Sequence, residues 1–371
     1  MARDDQSGGV SRGAALMNRG RRYLAAAVLA MLAAPALGML GAPYETRSAM
    51  ERRMLAEPPS WPASARDWAL LPRRLDAWFA DHFAWRGAMV RASLNLEAAA
   101  DLKPRGALEV VQGRDGWLLL YPGLLGLTGG ETRPATAERY GAYVCDLARA
   151  ARARGAKFLF APAPGPAEIY PEVLPDWLPR GAPTQPDLVL KAARACGVDP
   201  LDLRAVLRSA KPSAQLYQRR DSHWTERGAL VAFDAVARRL GEPWALDPAA
   251  LPWRASERTE SDLARLSGEV GGPGERLDIL PAAPQVPGAV GDLPHGTYPP
   301  AFQTLPAQPA ASVLIVGDSY AGEYMSPLFW RAGVSMTWIH QAECRFDRRV
   351  LDRLRYDVVL LMPSSRFAEC R

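Results

Sequence analysis

One stretch of the chain decides the fold class, and it reads SVLIVGDSY at residues 312–320. Four consecutive aliphatic residues at 313–316 predict a strand buried on both faces, and the sequence then turns polar after Gly317. Such strands are typical of a parallel sheet covered by helices on both sides. Ser319 follows the strand, so its hydroxyl is predicted at the carboxyl edge of the sheet, where doubly wound proteins bind ligands.

The rest of the chain alternates helix and strand around this stretch. Helical patterns cover about 75–102, 135–154, 187–196, 225–240, 321–331 and 345–354, and extended apolar segments cover 157–162, 198–201, 336–339 and 357–362. Residues 109–120 predict a β-hairpin with a Gly/Asp-Gly turn. Residues 280–309 are rich in Pro and Gly and predict a long loop. The sequence therefore predicts an α/β fold with a mostly parallel sheet flanked by helices.

The N-terminus carries an export signal. Three arginines at 19, 21 and 22 precede an uncharged stretch, residues 23–44, that is long enough to cross a hydrocarbon core of about 30 Å. We predict a basic cytoplasmic N-terminus at 1–22, a transmembrane anchor helix or signal sequence at 23–43, a juxtamembrane helical region at 44–105 and a catalytic domain at 106–371. Small residues near Ala36 leave a cleaved signal peptide open. Both interpretations export the domain.

Composition excludes one function class and leaves the cysteines open. The formal net charge of +5 comes from dispersed arginines without interleaved aromatic tracts, which argues against a nucleic-acid partner. Export makes disulfides possible among the four cysteines, whose spacing matches no metal site. Cys145 lies in a helical pattern and is predicted as a core residue. Cys344 with Cys370 is the pair to test first.

The chain has four histidines, and only His223 has a carboxylate two residues away, in DSHW at 221–224. In an extended segment residues i and i+2 project to the same side, so Asp221 can orient the imidazole. Serine is a poor nucleophile and needs such a base. We therefore predict Ser319 as nucleophile, His223 as general base and Asp221 as its orienting partner. Asp318 is assigned to hydrogen bonding within the turn.

Other interpretations of these residues stay open. His223 could cap the following helix, and Gly-Asp-Ser could be an ordinary polar turn. Metal chemistry lacks ligands, because Asp221 and His223 would supply only two, so no metal or other cofactor is predicted. Glu168 and Glu172 could form the carboxylate pair of a glycoside hydrolase, although their spacing gives that interpretation no special force.

These motifs together resemble a known family. DSHW preceding GDSY, after an N-terminal anchor and a hairpin containing GRDGWL, is similar to the SGNH-hydrolase-like O-acetyltransferases of the alginate AlgJ/AlgX type. The similarity covers about residues 79–366 and includes IYP at 169–171, DSHWTERGA at 221–229 and Asp262-Leu263. No single piece is specific, but the order Asp, His, Ser matches the permuted acetyltransferase branch. Ordinary SGNH hydrolases carry the serine first.

The resemblance implies an SGNH-hydrolase-like, flavodoxin-like fold and transfer of acetyl groups to an exopolysaccharide in the periplasm, from an enzyme held at the cell inner membrane. It implies the triad roles given above and no cofactor, with the acetyl group supplied by a multi-span membrane-bound O-acyltransferase partner. Tyr320, Trp224 and Arg366 are predicted to bind substrate. The chain departs from the family at residues 164–167, which lack its usual lysine, and at Ser261, where a glycine is typical.

Two further functions remain open at this point. A secreted carbohydrate esterase would use the same triad and give the acyl group to water instead of a sugar. A non-catalytic component of a polysaccharide export complex would retain the motif for structure.

Overall fold

The computed structural model describes residues 56–85, 110–127, 132–259, 261–267, 273–284, 302–340, 344–353 and 355–368, with Cys370 and short pieces between 22 and 54 and between 89 and 96. The chain divides into two compact units, Met1–Ser93 and Leu94–Arg371. The second unit contains the whole predicted catalytic range. The predicted domain boundaries stay predictions.

The first unit contains two short strands, β1 (Arg47–Ser48) and β2 (Arg53–Met54), and one long helix, α1 (Ala65–His82). The helix begins after Ser64, whose side chain accepts a hydrogen bond from the Asp67 N–H. It therefore starts ten residues before the predicted helical segment 75–102, most of whose second half lies outside the described residues. Residues 22–30 are helical. Within the described residues, no helix combines the length and the apolar character needed to cross a membrane.

The second unit opens with the predicted hairpin and then alternates helix and strand. The elements are β3 (Val110–Gln112), β4 (Leu118–Leu120), α2 (Tyr121–Leu125), α3 (Pro134–Arg152), β5 (Lys157–Phe160), α4 (Pro166–Ile169), α5 (Gln185–Arg194), α6 (Leu203–Ala210), α7 (Glu226–Leu240), β6 (Arg254–Arg258), α8 (Asp262–Leu266), β7 (Glu275–Ile279), β8 (Phe302–Thr304), β9 (Ala311–Gly317), α9 (Ser319–Tyr324), α10 (Ser326–Arg331), β10 (Val334–His340), α11 (Val350–Arg353) and β11 (Val358–Met362). The α/β prediction is confirmed.

The central sheet has the strand order β5-β11-β9-β10-β8. The first four strands are parallel, and β8 pairs antiparallel with β10 at the edge. The strand β9 occupies the middle, so the turn after Gly317 lies between the ends of two neighbouring strands. The carboxyl ends of β5, β9 and β11 consequently meet at one edge of the sheet, and this edge carries the candidate site.

Side chains alternate between two buried clusters on the faces of the sheet. In β9, Val313 and Ile315 belong to the cluster that includes α7, α9 and α10, while Leu314 and Val316 belong to the cluster that includes α3 and α5. All four are fully buried. This two-sided burial explains why the strand sequence is continuously apolar instead of alternating.

The helix α7 shows how local sequence fixes the loop before it. Thr225 caps its N-terminus, where the side chain accepts from the Gly228 N–H, and Gly241 ends it in the left-handed conformation at φ 68°. Both caps lie at the ends of the helical pattern predicted at 225–240. The loop at 221–224 therefore joins a helix whose start is fixed.

Several sequence predictions are wrong in detail. The predicted loop 280–309 contains β8, a three-residue strand too short to show a period; residues 285–301 lie outside the described part. The predicted helix 321–331 is two helices, because Pro327 at the start of α10 has no N–H to continue α9. Among the described residues of the predicted helix 345–354, only those of α11 are helical. The segment 198–201 is not a strand, although the Leu201 N–H donates to the Phe160 carbonyl at 2.8 Å.

The cysteine prediction is half right. Cys344 and Cys370 form a disulfide. Cys145, predicted as an unbridged core residue, forms a second disulfide with Cys196. The helical pattern around Cys145 placed it correctly in α3, but it could not show that the end of α5 packs against that helix and brings Cys196 within reach.

Candidate active site

The turn that carries Ser319, the predicted nucleophile, is formed at the end of the central strand β9. Gly317 ends β9 where any side chain would collide, because an added Cβ would lie 2.4 Å from the Met362 carbonyl oxygen of the neighbouring strand. Asp318 caps α9 and accepts hydrogen bonds from the N–H groups of Tyr320 at 3.1 Å and Ser364 at 2.7 Å. Its predicted role in the turn is confirmed. Ser319, the first residue of α9, remains partly exposed between the buried Asp318 and Tyr320.

The histidine loop is held mainly by side chains. Residues 221–224 directly precede α7 and its cap Thr225, and an isolated β-bridge joins Trp224 to Tyr217. Asp221 and His223 are 6% and 4% exposed. The Tyr320 hydroxyl donates to the Ser222 carbonyl, and so the loop is tied to the helix that begins with the nucleophile.

The three predicted triad residues form one continuous chain of hydrogen bonds. His223 Nε2 lies 2.7 Å from Ser319 Oγ, and His223 Nδ1 lies 2.6 Å from Asp221 Oδ1. A carboxylate can only accept, so Nδ1 carries the proton and Nε2 is left to accept from the serine hydroxyl. This is the tautomer that a general base for Ser319 requires.

Charges around the imidazole decide its basicity. Burial by itself lowers the pKa of His223, but the hydrogen bond and charge of Asp221 and the charge of Asp262 outweigh it, and the net pKa is raised. Burial opposes ionisation of Asp221 as well. The hydrogen bond from His223 nevertheless holds the pKa of Asp221 well below its usual range. The site therefore contains an ionised aspartate beside a strengthened base.

Asp262, at the start of α8, is a second carboxylate that sequence reasoning did not assign to the site. Its backbone N–H donates to Asp221 Oδ2 at 2.9 Å, its Oδ1 accepts from the Ser222 N–H at 2.7 Å, and its Oδ2 lies 3.7 Å from His223 Nδ1. Burial and the nearby charge of Asp221 raise the pKa of Asp262. The signal was available, since Asp262-Leu263 is part of the family resemblance.

Asp221, His223 and Asp262 also form a group whose ligand atoms lie within 4.8 Å of one another, as in metal sites. The imidazole Nδ1 is, however, engaged with Asp221 and Nε2 with Ser319. These contacts fit proton transfer and leave no nitrogen lone pair of His223 directed at a metal position.

A sequence profile for the family described as "SGNH hydrolase-like domain, acetyltransferase AlgX" matches residues 110–328, more than half of the chain and a range that includes all three triad residues. The chain belongs to this AlgX SGNH-hydrolase-like family. The resemblance stated from the sequence is confirmed.

Curated relatives carry related names. The chain is 30% identical over 286 residues to the probable alginate O-acetylase AlgJ of Pseudomonas aeruginosa, which covers 74% of this chain and 67% of that protein. It is 33% identical over 155 residues to the probable alginate O-acetylase AlgJ of Pseudomonas syringae pv. tomato, which covers 41% of this chain. The second match spans only 38% of the relative's length.

Solved structures support the fold alone. A DHHW family protein from Eubacterium siraeum superposes with a TM-score of 0.53 at 14% identity over 72% of this chain and 94% of that one. Bacillus cereus PatB1 with a sulfonyl adduct superposes with a TM-score of 0.51 at 15% identity over 71% and 97%. Both show the same mixed α/β architecture.

Two tyrosines of the AlgX-family domain bracket the histidine ring. Tyr320 and Tyr324, four residues apart on α9, have ring centroids 5.0 Å and 5.4 Å from the His223 imidazole. Gln218 Nε2 donates to the Tyr324 hydroxyl at 2.8 Å, and the Tyr320 hydroxyl is fixed on Ser222. The helix that begins with Ser319 thus also supplies two ring contacts to His223.

The three predicted substrate-binding residues lie in different environments. Arg366 and Tyr320 line a cleft beside the triad, but Tyr320 is only 1% exposed and its hydroxyl donates to the Ser222 carbonyl, so Tyr320 is a positioning residue. Trp224 is fully buried, and its indole N–H donates to the Tyr320 carbonyl at 3.2 Å. A residue with no exposed surface cannot contact a sugar, so the structure places Trp224 behind the site as a positioning residue.

The cleft is a cavity beside the triad. It has an empty volume of about 410 Å³, part of it open to solvent, and Ser222 and Tyr320 line it next to the histidine and the nucleophile. Its remaining lining combines leucines at 119, 120, 124 and 127 with polar residues Glu168, Ser364, Ser365 and Arg366. Sequence reasoning singled out Glu168 only as half of a carboxylate pair and missed its place in this wall.

The other two described histidines, His82 and His340, lie outside the site. His340 ends β10 and is only partly buried, and burial lowers its pKa. His82 ends α1 in the first unit. His295 lies outside the described residues. Among the described histidines, His223 is the one that is hydrogen-bonded to Ser319.

Proposed function

We propose that the protein transfers acetyl groups to hydroxyls of an exopolysaccharide through an acetyl ester on Ser319. The observation that carries the proposal is the Asp221–His223–Ser319 hydrogen-bond chain with its partly exposed hydroxyl beside a cleft. Membership of a family described as an acetyltransferase supports the reaction type. The alginate O-acetylase names of the relatives support a polysaccharide acceptor.

In the first half-reaction the Ser319 oxygen attacks the carbonyl carbon of an acetyl donor. His223 Nε2 takes the hydroxyl proton, and Asp221 stabilises the imidazolium that forms. The bond to the donor's leaving group then breaks, and His223 returns the proton to that group. The result is an acetyl ester on Ser319 and a neutral imidazole.

In the second half-reaction a sugar hydroxyl attacks the acetyl ester. His223 Nε2 now takes the sugar's proton and afterwards protonates the Ser319 oxygen, which leaves. The Ser319 N–H is at the first position of α9, where no intrahelical acceptor exists, and we assign it as a donor to the oxyanion that develops in both steps.

The proposal includes export and a membrane partner. Two disulfides support an oxidising compartment such as the periplasm, and the apolar stretch 23–43 supports attachment to the inner membrane. An acetyl donor in that compartment has to be delivered across the membrane, which is the task we assign to a multi-span O-acyltransferase partner. The chain itself needs no cofactor for the two steps above.

The test uses the purified full-length chain, an activated acetyl ester and an oligosaccharide acceptor. We expect acetylated oligosaccharide from the wild type and none from Ser319→Ala. Ser213→Ala is the matched control, because its hydroxyl bonds only the Ala210 carbonyl on the surface. Free acetate without acetylated sugar would indicate the esterase instead, and equal product from Ser319→Ala would contradict a serine nucleophile.

A further inference from the structure

The antiparallel strands β6 and β7 hold the segment that leads into the histidine loop. Arg258 on β6 and Glu275 on β7 are partners in the register of this pair. The Glu275 carboxylate accepts hydrogen bonds from the Arg219 N–H at 3.1 Å and from the Gln215 side chain. Arg258 reaches the same segment from the other strand, because its Nη1 donates to Gln218 Oε1 at 3.1 Å. One cross-strand pair therefore contacts this segment at three of its residues.

Gln218 joins Arg258 to the histidine loop. It is 1% exposed, its backbone N–H donates to the His223 carbonyl at 3.2 Å, and its Nε2 donates to the Trp224 carbonyl at 3.1 Å. The same Nε2 donates to the Tyr324 hydroxyl at 2.8 Å. A guanidinium can only donate, so Arg258 fixes which end of the amide is the oxygen and directs both amide hydrogens to the loop and to α9.

The Tyr324 hydroxyl receives a second hydrogen bond from the same guanidinium. Arg258 Nη1 donates to the Tyr324 oxygen at 3.3 Å, beside the bond from Gln218. The Tyr324 ring is buried and stacks on the His223 imidazole, with centroids 5.4 Å apart and an interplanar angle of 24°. A phenol held at its oxygen by two donors keeps its ring against the imidazole.

The charge of Arg258 is maintained by its surroundings. Burial by itself lowers the pKa of Arg258, but its contact with Tyr324 and the charges of Glu226 and Asp221 outweigh burial and raise this pKa. The partly buried guanidinium consequently stays charged, and its hydrogen bonds to Gln218 and Tyr324 are charge-assisted.

We infer that Arg258 is a positioning residue for the general base: through the Gln218 amide and the Tyr324 hydroxyl it holds the His223 imidazole in line with Ser319. The inference rests on the proposed reaction, in which His223 Nε2 takes the serine proton. Proton transfer needs a short, aligned hydrogen bond, so a small rotation of the ring slows the reaction. No local pattern in the sequence marks Arg258, because β6 meets the histidine loop only in the folded chain.

The experiment measures how fast p-nitrophenyl acetate acetylates the purified full-length chain, followed as the first turnover of p-nitrophenol release. Arg258→Met removes both donated hydrogen bonds, and we expect an acylation rate about ten-fold lower, with the KM for the ester within about two-fold of the wild type. Arg258→Lys keeps a charged donor and should restore most of the rate. Arg254→Met is the matched control, because Arg254 is exposed at the start of the same strand, and it should keep the wild-type rate within about two-fold.

A cycle of variants tests the route from Arg258 to the imidazole. In a chain that already carries Tyr324→Phe and Gln218→Met, the further loss caused by Arg258→Met should shrink from about ten-fold to less than about two-fold. A full ten-fold loss in that background would mean that Arg258 acts by another route and would overturn the inference. An unchanged rate in Arg258→Met, or an equal loss in Arg254→Met, would overturn it as well.

The NMR signal of the His223 Cε1–H reports the stacked ring without any acetyl chemistry, and it is assigned by its absence from His223→Gln. Because an aromatic ring shifts the signals of nuclei stacked on it, this signal should move in Arg258→Met and stay in place in Arg254→Met. An unmoved signal in Arg258→Met contradicts the inference even if turnover falls. Should Arg258→Met fail to fold, Arg258→Gln carries both measurements with the same expected changes. A wild type that shows these shifts but acetylates no oligosaccharide would reject the proposed function and keep the positioning role, so the two failures are distinguishable.

Discussion

The two faces of the central sheet differ in what they bury and in how they are held together. One face continues from Val313 and Ile315 into Tyr320 and Tyr324, whose rings lie beside His223, and into Trp224, which contacts Tyr320. The opposite face packs against α3 and α5 and is bordered by both disulfides. Four buried or partly buried ionisable groups with shifted pKa values, Asp221, His223, Asp262 and Glu168, lie at the edge next to the first face.

The difference between the two faces suggests that one contributes mainly to stability and the other mainly to the reaction. We expect that the disulfide face can lose its covalent links without displacing Asp221, His223 or Ser319, and that these three residues can be replaced while the sheet stays intact. We therefore expect substitutions on one face to change the free energy of unfolding and substitutions on the other to change turnover. Each experiment below tests that separation.

The largest effect is expected for His223→Gln. Without a base to take the Ser319 proton, acetyl transfer should fall about 10⁴-fold, and the melting temperature should change little. Turnover and thermal unfolding are measured on the same sample. His340→Gln is the matched control at the end of a neighbouring strand and should keep most of the activity. Comparable losses in both variants would mean that the site is not centred on His223.

Removal of the Cys145–Cys196 disulfide should lower stability and leave turnover unchanged, which is the opposite of the result expected for His223→Gln. Cys145→Ser with Cys196→Ser opens a loop of 51 residues and should reduce the free energy of unfolding by about 4 kcal/mol. The rate of acetyl transfer by the folded protein should not change. The double variant at Cys344 and Cys370 opens 26 residues and should lose about 0.6 kcal/mol less. A fall in turnover that tracks the loss of stability would break the separation.

Much of this arrangement could be predicted from the sequence. The strand at 313–316, the caps of α7 and the pairing of Asp221 with His223 all follow from local patterns, and local patterns survive folding. The location of Ser319 could be predicted because a turn that directly follows a buried strand must lie at the end of that strand. These are features in which neighbouring residues decide the outcome.

The remaining features depend on contacts between distant segments. The Cys145–Cys196 disulfide requires that α3 and α5 pack together, and Asp262 reaches Asp221 from 41 residues away. Trp224 was assigned to substrate because its motif position does not reveal which side of the loop faces solvent. Glu168 follows β5 and its partner Ser365 follows β11, so the two meet in the lining of the cleft because β5 and β11 are neighbours in the sheet. Spacing along the chain cannot supply such information.

A smaller effect, with a defined sign, is expected for Asp262→Asn. The negative charge of Asp262 helps to raise the pKa of His223, and His223 acts as a base only when it is neutral. Loss of that charge lowers this pKa, so the acid limb of the kcat/KM profile should move to lower pH. The rate on the plateau should fall about ten-fold, because a charge-assisted hydrogen bond to Ser222 is weakened.

Asp234→Asn provides the control for that profile, since Asp234 pairs with Arg238 on the exposed side of α7. Its pH–rate curve should overlay that of the wild type. A shift of the acid limb to higher pH in Asp262→Asn, or no shift, would contradict the electrostatic role of Asp262.

The smallest effect is expected for Trp224→Phe. Loss of the indole hydrogen bond to the Tyr320 carbonyl should reduce the free energy of unfolding by about 1 kcal/mol and lower kcat a few-fold through a less fixed α9. The KM for the acceptor should stay constant, because Trp224 has no exposed surface. A large increase in KM with unchanged kcat would restore Trp224 as a substrate contact.

The most direct test of the account is to trap the acetyl group on the protein. The full-length chain is mixed with p-nitrophenyl acetate, quenched in acid within the first turnover and digested, and the peptides are analysed by mass spectrometry. We predict one added acetyl group on the peptide that contains Ser319, localised to that serine and absent from Ser319→Ala. An acetyl group on another residue, with p-nitrophenol release by Ser319→Ala equal to that of the wild type, would contradict the proposed mechanism.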